Sequence, residues 1–243
     1  MHKVTGLIIL SVSLHAALWA ADQPASRLVD QILQNYIQAV GGQAAIERIQ
    51  TREVRGDRRH GPKLTYYWQK PNKVLLITKK ERIGFDGSAG WVLSRKKHIT
   101  KLAKGAQKPL EMDANPIRYV HLKTLYSEIN TAPPEELDGT KMDVLVAPND
   151  IGATKFYFDS STHLLARIEE TGETSAYYKQ TTEFTDYKGV DGVRLPFRII
   201  HLSTQPGVGP QDLRISKIEQ NLELKPDIFS KPTGVVVVLG GKR

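Results

Sequence analysis

The chain has 243 residues, 40% of them hydrophobic and 25% charged, which suffices for a buried core and argues against a disordered chain. It contains no cysteine, so disulfides, thiolate nucleophiles and cysteine-based metal or iron–sulfur sites are excluded. The net charge of +8 is uneven: residues 1–54 balance, residues 55–104 carry 14 Lys/Arg against 3 Asp/Glu, and residues 105–243 are net −3.

Residues 1–20 read as a cleavable secretory signal peptide, leaving 21–243 as a single domain. Met1-His2-Lys3 is a short positive start, Val4 to Trp19 is mostly apolar, and Ala20-Ala21 precede Asp22 as small residues at the cleavage point. An uncleaved anchor is the rival, but about 16 apolar residues fall short of the roughly 20 that a spanning helix needs. Without a cysteine behind the segment, no lipid-modified N-terminus is expected.

Ser26 is the expected N-cap of a first helix whose apolar stripe is Leu28, Val29, Ile32, Leu33, Tyr36, Ile37 and Val40. Gly41-Gly42 ends it, and residues 43–49 form a short second helix. From Thr51 the period becomes two. Strands are expected at 64–69, 74–78, 82–85, 91–93 and 99–102, each bounded by a turn and followed directly by the next. Four prolines interrupt residues 105–139, where Ile117, Val120, His121 and Leu125 have helical spacing. Strands resume at 142–146, 155–158, 164–170, 177–187, 193–202 and 213–224. Ten or eleven strands with short connections and no βαβ alternation indicate a mainly β, antiparallel protein.

Familiar catalytic patterns are missing. His60, His98, His121, His163 and His201 are isolated in sequence, and no metal-ligand spacing occurs. Gly87-Ser88-Ala89-Gly90 lacks the glycine a nucleophile elbow needs two residues before its serine, and reads as a hairpin turn. No cofactor, metal site or catalytic residue is therefore expected. A hydrolase or isomerase would need a histidine or carboxylate pair facing inward.

The basic block admits three readings: protection of strand edges, nucleic-acid binding with Tyr66, Tyr67 and Trp68 as stacking platforms, and contact with anionic lipid. Export argues against nucleic acid.

Several motifs in order resemble the LolA/LolB-like periplasmic superfamily of outer-membrane lipoprotein-sorting proteins. They are Ala39-Val40-Gly41-Gly42, Gly84-Phe85-Asp86-Gly87-Ser88-Ala89-Gly90-Trp91, Phe156-Tyr157-Phe158-Asp159, the run from Tyr187 to Phe197, and Asn221 to Pro232. The resemblance implies a strongly curved, incomplete antiparallel β-barrel of about 11 strands with a helical cover (α+β). It also implies a periplasmic, non-enzymatic carrier for lipid or an acylated lipoprotein that meets envelope proteins transiently, and the basic block adds the expectation of transient contact with an anionic membrane surface. An interaction or sensing module without lipid is the alternative. Candidate cavity residues alternate along strands: Leu64, Tyr66 and Trp68; Leu75 and Ile77; Ile83 and Phe85; Trp91 and Leu93. Any of them could equally be packed core, since the sequence does not say which strand face is concave.

Overall fold

The computed structural model describes residues 16–59, 61, 63–103, 105–149, 152–172 and 179–233; residues 1–15, most of the expected leader, lie outside them. Helix α1 spans Ala16–Ala39 and α2 spans Gln43–Glu47. Six strands follow: β1 (Thr51–Arg58), β2 (Lys63–Gln69), β3 (Lys73–Thr78), β4 (Glu81–Phe85), β5 (Gly90–Ser94) and β6 (Ile99–Lys101). The helical insert comprises α3 (Gln107–Ala114), a 3-10 turn (Pro116–His121) and α4 (Leu122–Leu125). Seven described strands follow the insert: β7 (Asn130–Leu137), β8 (Thr140–Asn149), β9 (Gly152–Asp159), β10 (Leu165–Gly172), β11 (Gln180–Val190), β12 (Val193–Ser203) and β13 (Gln211–Gln220).

All thirteen strands join one antiparallel sheet in the order β6-β5-β4-β3-β2-β1-β13-β12-β11-β10-β9-β8-β7. Pairing of β1 with β13 brings the two halves of the chain together, while among the described residues β6 and β7 are the edges of the sheet. The barrel is therefore incomplete, and its two edges are connected by the helical insert. Two strands exceed the eleven delimited from sequence. Charged residues dilute the pattern of β1, and Pro133-Pro134 conceal β7. An edge strand tolerates proline because one side needs no ladder hydrogen bond, and the register of β7 shifts between Ala132 and Glu135.

Helix α1 runs through Ser26, which is consequently not its cap. The apolar stripe is buried as expected from Val29 to Val40, but Leu28 is half exposed. Helix α3 was hidden by Pro109, which sits at its third residue, where the backbone N–H has no helical acceptor to lose. The helices cover one face of the sheet: α3 packs on β1, β2 and β3, the 3-10 turn on β12, and α1 on β7. Aromatic pairs fix this cover to β9. Tyr36 lies 5.2 Å from Phe158, and Tyr119 and Tyr126 lie 5.6 Å and 5.4 Å from Phe156 between ring centroids. Such contacts fill most of the inner face with side chains.

The motifs that resemble the LolA/LolB-like proteins act as clasps. Gly41 (φ 124°) lies against the β11–β12 turn, where a Cβ would stand 2.2 Å from the Gly192 carbonyl oxygen, and Arg194 N–H donates to the Val40 carbonyl at 2.9 Å. Two motifs distant in sequence are thus halves of one contact. Gly84 leaves room for the ring of its cross-strand partner Trp91, whose indole N–H donates to the Phe229 carbonyl at 3.0 Å. Asp86 closes the intervening turn by accepting the Ser88 and Ala89 N–H groups at 2.8 Å, and Asp159 does the same for Ser161 and Thr162.

Gly41→Ala combines left-handed strain with a backbone clash and should destabilise the protein by about 1–3 kcal/mol. Gly189→Ala, where a Cβ would meet nothing within 4 Å, should change stability by less than about 0.5 kcal/mol. Equal thermal midpoints for the two variants would contradict the clasp.

Candidate ligand-binding site

Where β1 starts and β2 turns into β3, a cavity of about 480 Å³ remains between sheet and cover. Its apolar wall is formed by Ile46 and Ile49 at α2, Trp68 of β2, Ile117 and Val120 of the 3-10 turn, and Leu125 of α4. Lys70, Pro71 and Asn72 of the β2–β3 turn border it, as do Glu111 and Arg118 from the cover. Its size falls within the range of about 300–1,000 Å³ usual for small-molecule sites.

Arg52 also lines this cavity and is only 1% exposed. β1 turns it inward because it shares parity with buried Val54. Its Nη1 donates to Asn115 Oδ1 at 2.7 Å and, more weakly, to the Ala114 carbonyl at 3.5 Å, and its Cζ lies 5.6 Å from the Trp68 ring centroid. The buried Nε has no partner, and no carboxylate pairs with Arg52 among the described residues. Burial lowers its pKa to about 9, so it remains charged at neutral pH.

A second, smaller pocket of about 190 Å³ lies at the opposite end of the strands and includes Arg58, Asp113, Thr182 and His201. Here an inward histidine–carboxylate pair does occur: His201 Nε2 is 2.8 Å from Asp113 Oδ1, and His201 Nδ1 is 3.1 Å from Thr182 Oγ1. Tyr66 donates to Asp113 Oδ2 at 2.5 Å and accepts from Arg58 Nη2 at 2.9 Å. Asp113 belongs to α3, whereas its partners belong to β1, β2 and β12, so the network ties the cover to the sheet. Burial alone would raise the Asp113 pKa. The His201 ring, the hydrogen bonds from His201 and Tyr66, and Arg58 outweigh it and hold the carboxyl below its usual range.

The nine residues picked out from strand alternation are not brought together. Leu64, Tyr66, Ile83 and Phe85 belong to the packed inner core, and among the nine only Trp68 lines the larger cavity. Leu75, Ile77, Trp91 and Leu93 occupy the opposite face, under Leu224, Ile228 and Phe229. Both faces of β3 and its neighbours are apolar because the segment after β13 covers the outer one, so alternation did not separate lining from outer core. The parity of Arg52 with Val54 was the available signal for the charged group in the cavity. No local signal marks Asp113 as the partner of His201.

The basic block does not form one patch, because a meander sends alternate turns to opposite ends. Exposed Arg59, Lys63, Lys79, Lys80, Arg95, Lys96 and Lys97 gather on the β1–β2, β3–β4 and β5–β6 turns, beside Asp57 and Glu81. The Arg95 N–H donates to the Lys80 carbonyl at 2.9 Å and links two of these turns. Lys70, Lys73 and Lys101 lie at the other end of the strands, where Lys70 borders the larger cavity.

No family model and no curated protein matches the chain. Solved structures do. A domain described as an outer membrane lipoprotein-sorting protein from Vibrio parahaemolyticus aligns with a TM-score of 0.52 at 14% identity, over 75% of this chain and 88% of that one. A LolA superfamily protein from Nitrosomonas europaea gives 0.53 at 15% identity, over 83% and 97%. A DUF1329 family protein from Desulfovibrio piger gives 0.58 at 11% identity, over 83% and 96%. At these identities the shared property is the fold: an open, curved antiparallel barrel with a helical cover, as in LolA-like proteins.

A carboxyl held below its unfolded pKa stabilises the fold above that pKa and loses this contribution as pH falls through the folded value. Stability should therefore decline on acidification below about pH 4. Asp113→Asn should cost roughly 3 kcal/mol at neutral pH and make the acid decline shallower. Urea unfolding across a pH series measures both, and parallel curves for the two proteins would remove Asp113 from the account.

Proposed function

We propose that this chain is a periplasmic, non-enzymatic binding or carrier protein for a lipid or acylated ligand. The observation that carries the proposal is the apolar-walled cavity beneath the helical cover of a LolA-like barrel. Transfer of an acyl chain from water contributes about 0.8 kcal/mol per methylene, so a wall of Ile46, Ile49, Trp68, Ile117, Val120 and Leu125 needs no covalent chemistry to retain one. The neighbour described as lipoprotein-sorting and the leader-like first 20 residues support the same compartment and ligand class. In this reading the His201–Asp113 pair is a clamp between cover and sheet, and 21–243 act as one domain.

The alternative, an envelope-protein interaction module without lipid, draws on one observation: most of the inner face is filled by its own aromatic and aliphatic side chains. It predicts an unliganded protein. The basic rim adds attraction to an anionic surface at the end remote from the larger cavity, which stays accessible while the protein is docked.

Native mass spectrometry of protein isolated from the periplasm should show a co-purifying acyl compound. Leu125→Glu, at a 41% exposed position on the cavity wall, should weaken uptake of a fluorescent fatty acid about tenfold without loss of fold. A clean apo mass together with no uptake by the wild type would favour the interaction module. The combined variant Lys79→Glu, Lys80→Glu, Lys96→Glu and Lys97→Glu should reduce co-sedimentation with anionic vesicles at low salt by more than about tenfold. Unchanged co-sedimentation would leave the rim with only a solubility role.

A further inference from the structure

Among the described residues, Arg52 is the one buried charge on the wall of the larger cavity that has no counter-ion. Glu111, an acid on the cavity wall, is committed to Arg118 at 2.7 Å and to Gln107 at 2.8 Å. Glu47 is hydrogen-bonded to Gln43. The hydrogen-bond partners of Arg52 are a neutral amide oxygen and a distant backbone carbonyl, and its Nε–H has none. A buried cation left in this state is costly, because removal from water is repaid only by a well-placed anion. The Arg52 guanidinium lies over the Trp68 ring, and a planar fork of donors suits an oxyanion far better than it suits a single amide.

We propose that Arg52 is the subsite for the oxyanion head, carboxylate or phosphate, of a single-chain amphiphile bound head-inward in the larger cavity. The proposal rests on the acyl-binding reading of that cavity and narrows it. The head displaces or supplements the Asn115 amide on the guanidinium, and the chain runs along Ile117 and Val120 toward exposed Leu125. Lys70 at the β2–β3 turn adds a second positive charge to the wall. A head-inward pose requires a small head. It therefore fits a free fatty acid or a lyso-type phosphate, and it does not fit an acyl chain attached to a folded lipoprotein.

Dodecanoate, dodecyl phosphate and dodecanol present the same chain with three heads, and titration calorimetry compares them. The wild type should bind the better of the two anions at least about tenfold more tightly than the alcohol. Which anion is preferred distinguishes a fatty acid from a phosphate lipid. Arg52→Met should abolish the preference and retain the alcohol. Asn115→Asp supplies an internal carboxylate to Arg52, so it should abolish the preference even if Arg52→Met does not fold. Equal wild-type affinity for all three compounds overturns the head subsite but leaves acyl binding intact. Binding of none of them overturns both. A preference that survives in folded Arg52→Met or in Asn115→Asp restricts Arg52 to bracing the cover and overturns the assignment.

Discussion

The pairing of β1 with β13 is the contact on which the remaining architecture depends. Without it the chain would form two meanders, each with exposed edges. With it, the thirteen described strands share one curved sheet, whose two edges are β6 and β7, the strands joined by the helical insert. The junction is reinforced at its corner. Asn221 Oδ1 accepts from the Gln50 N–H at 2.9 Å, and the Thr51 hydroxyl donates to the Leu222 carbonyl at 2.8 Å. The same register, Val54 opposite Ile218, decides which β1 side chains face inward and thereby commits Arg52 to the interior.

From that constraint follows an unusual distribution of space and charge. Aromatic residues from α1, the 3-10 turn and β9 occupy the middle of the inner face, and the two cavities described lie toward the two ends of the strands. Each end contains a polar group that hydrophobic packing alone would not select. At one end, Asp113 is surrounded by Tyr66, His201 and Arg58 and is fully answered. At the other, Arg52 is not. A satisfied buried network rigidifies a fold, whereas an unsatisfied buried charge stores a preference for something absent from the chain. This asymmetry separates a structural polar cluster from a recognition group when both are equally buried.

Much of the fold was legible because it rests on local rules. The period of two, the turn residues and the absence of βαβ units led to an antiparallel meander, and the stripe from Val29 to Val40 led to a covering helix. The misses were also local. Pro133-Pro134 concealed an edge strand, and Pro109 concealed the first turn of α3, because proline is costly only where its missing N–H would have had a partner. The motifs that resemble LolA-like proteins carried fold information. Gly41 and Gly84 are where they are because another backbone or a tryptophan ring approaches them closely.

By itself, then, the amino-acid sequence determined the antiparallel strands, the helical start, the lack of cysteine chemistry and the uneven charge. These depend on residue type and on spacing along a few positions. Tertiary structure alone decided that Trp68 borders the larger cavity while Leu75 and Trp91 lie outside, that the basic block divides between two rims, and that Asp113 meets His201 from 88 residues away. It also decided that Arg52 is enclosed without a counter-charge among the described residues. The physical reason is common to all four: each depends on which face of a strand is covered and by what, and that is set by long-range pairing and by segments remote in the chain.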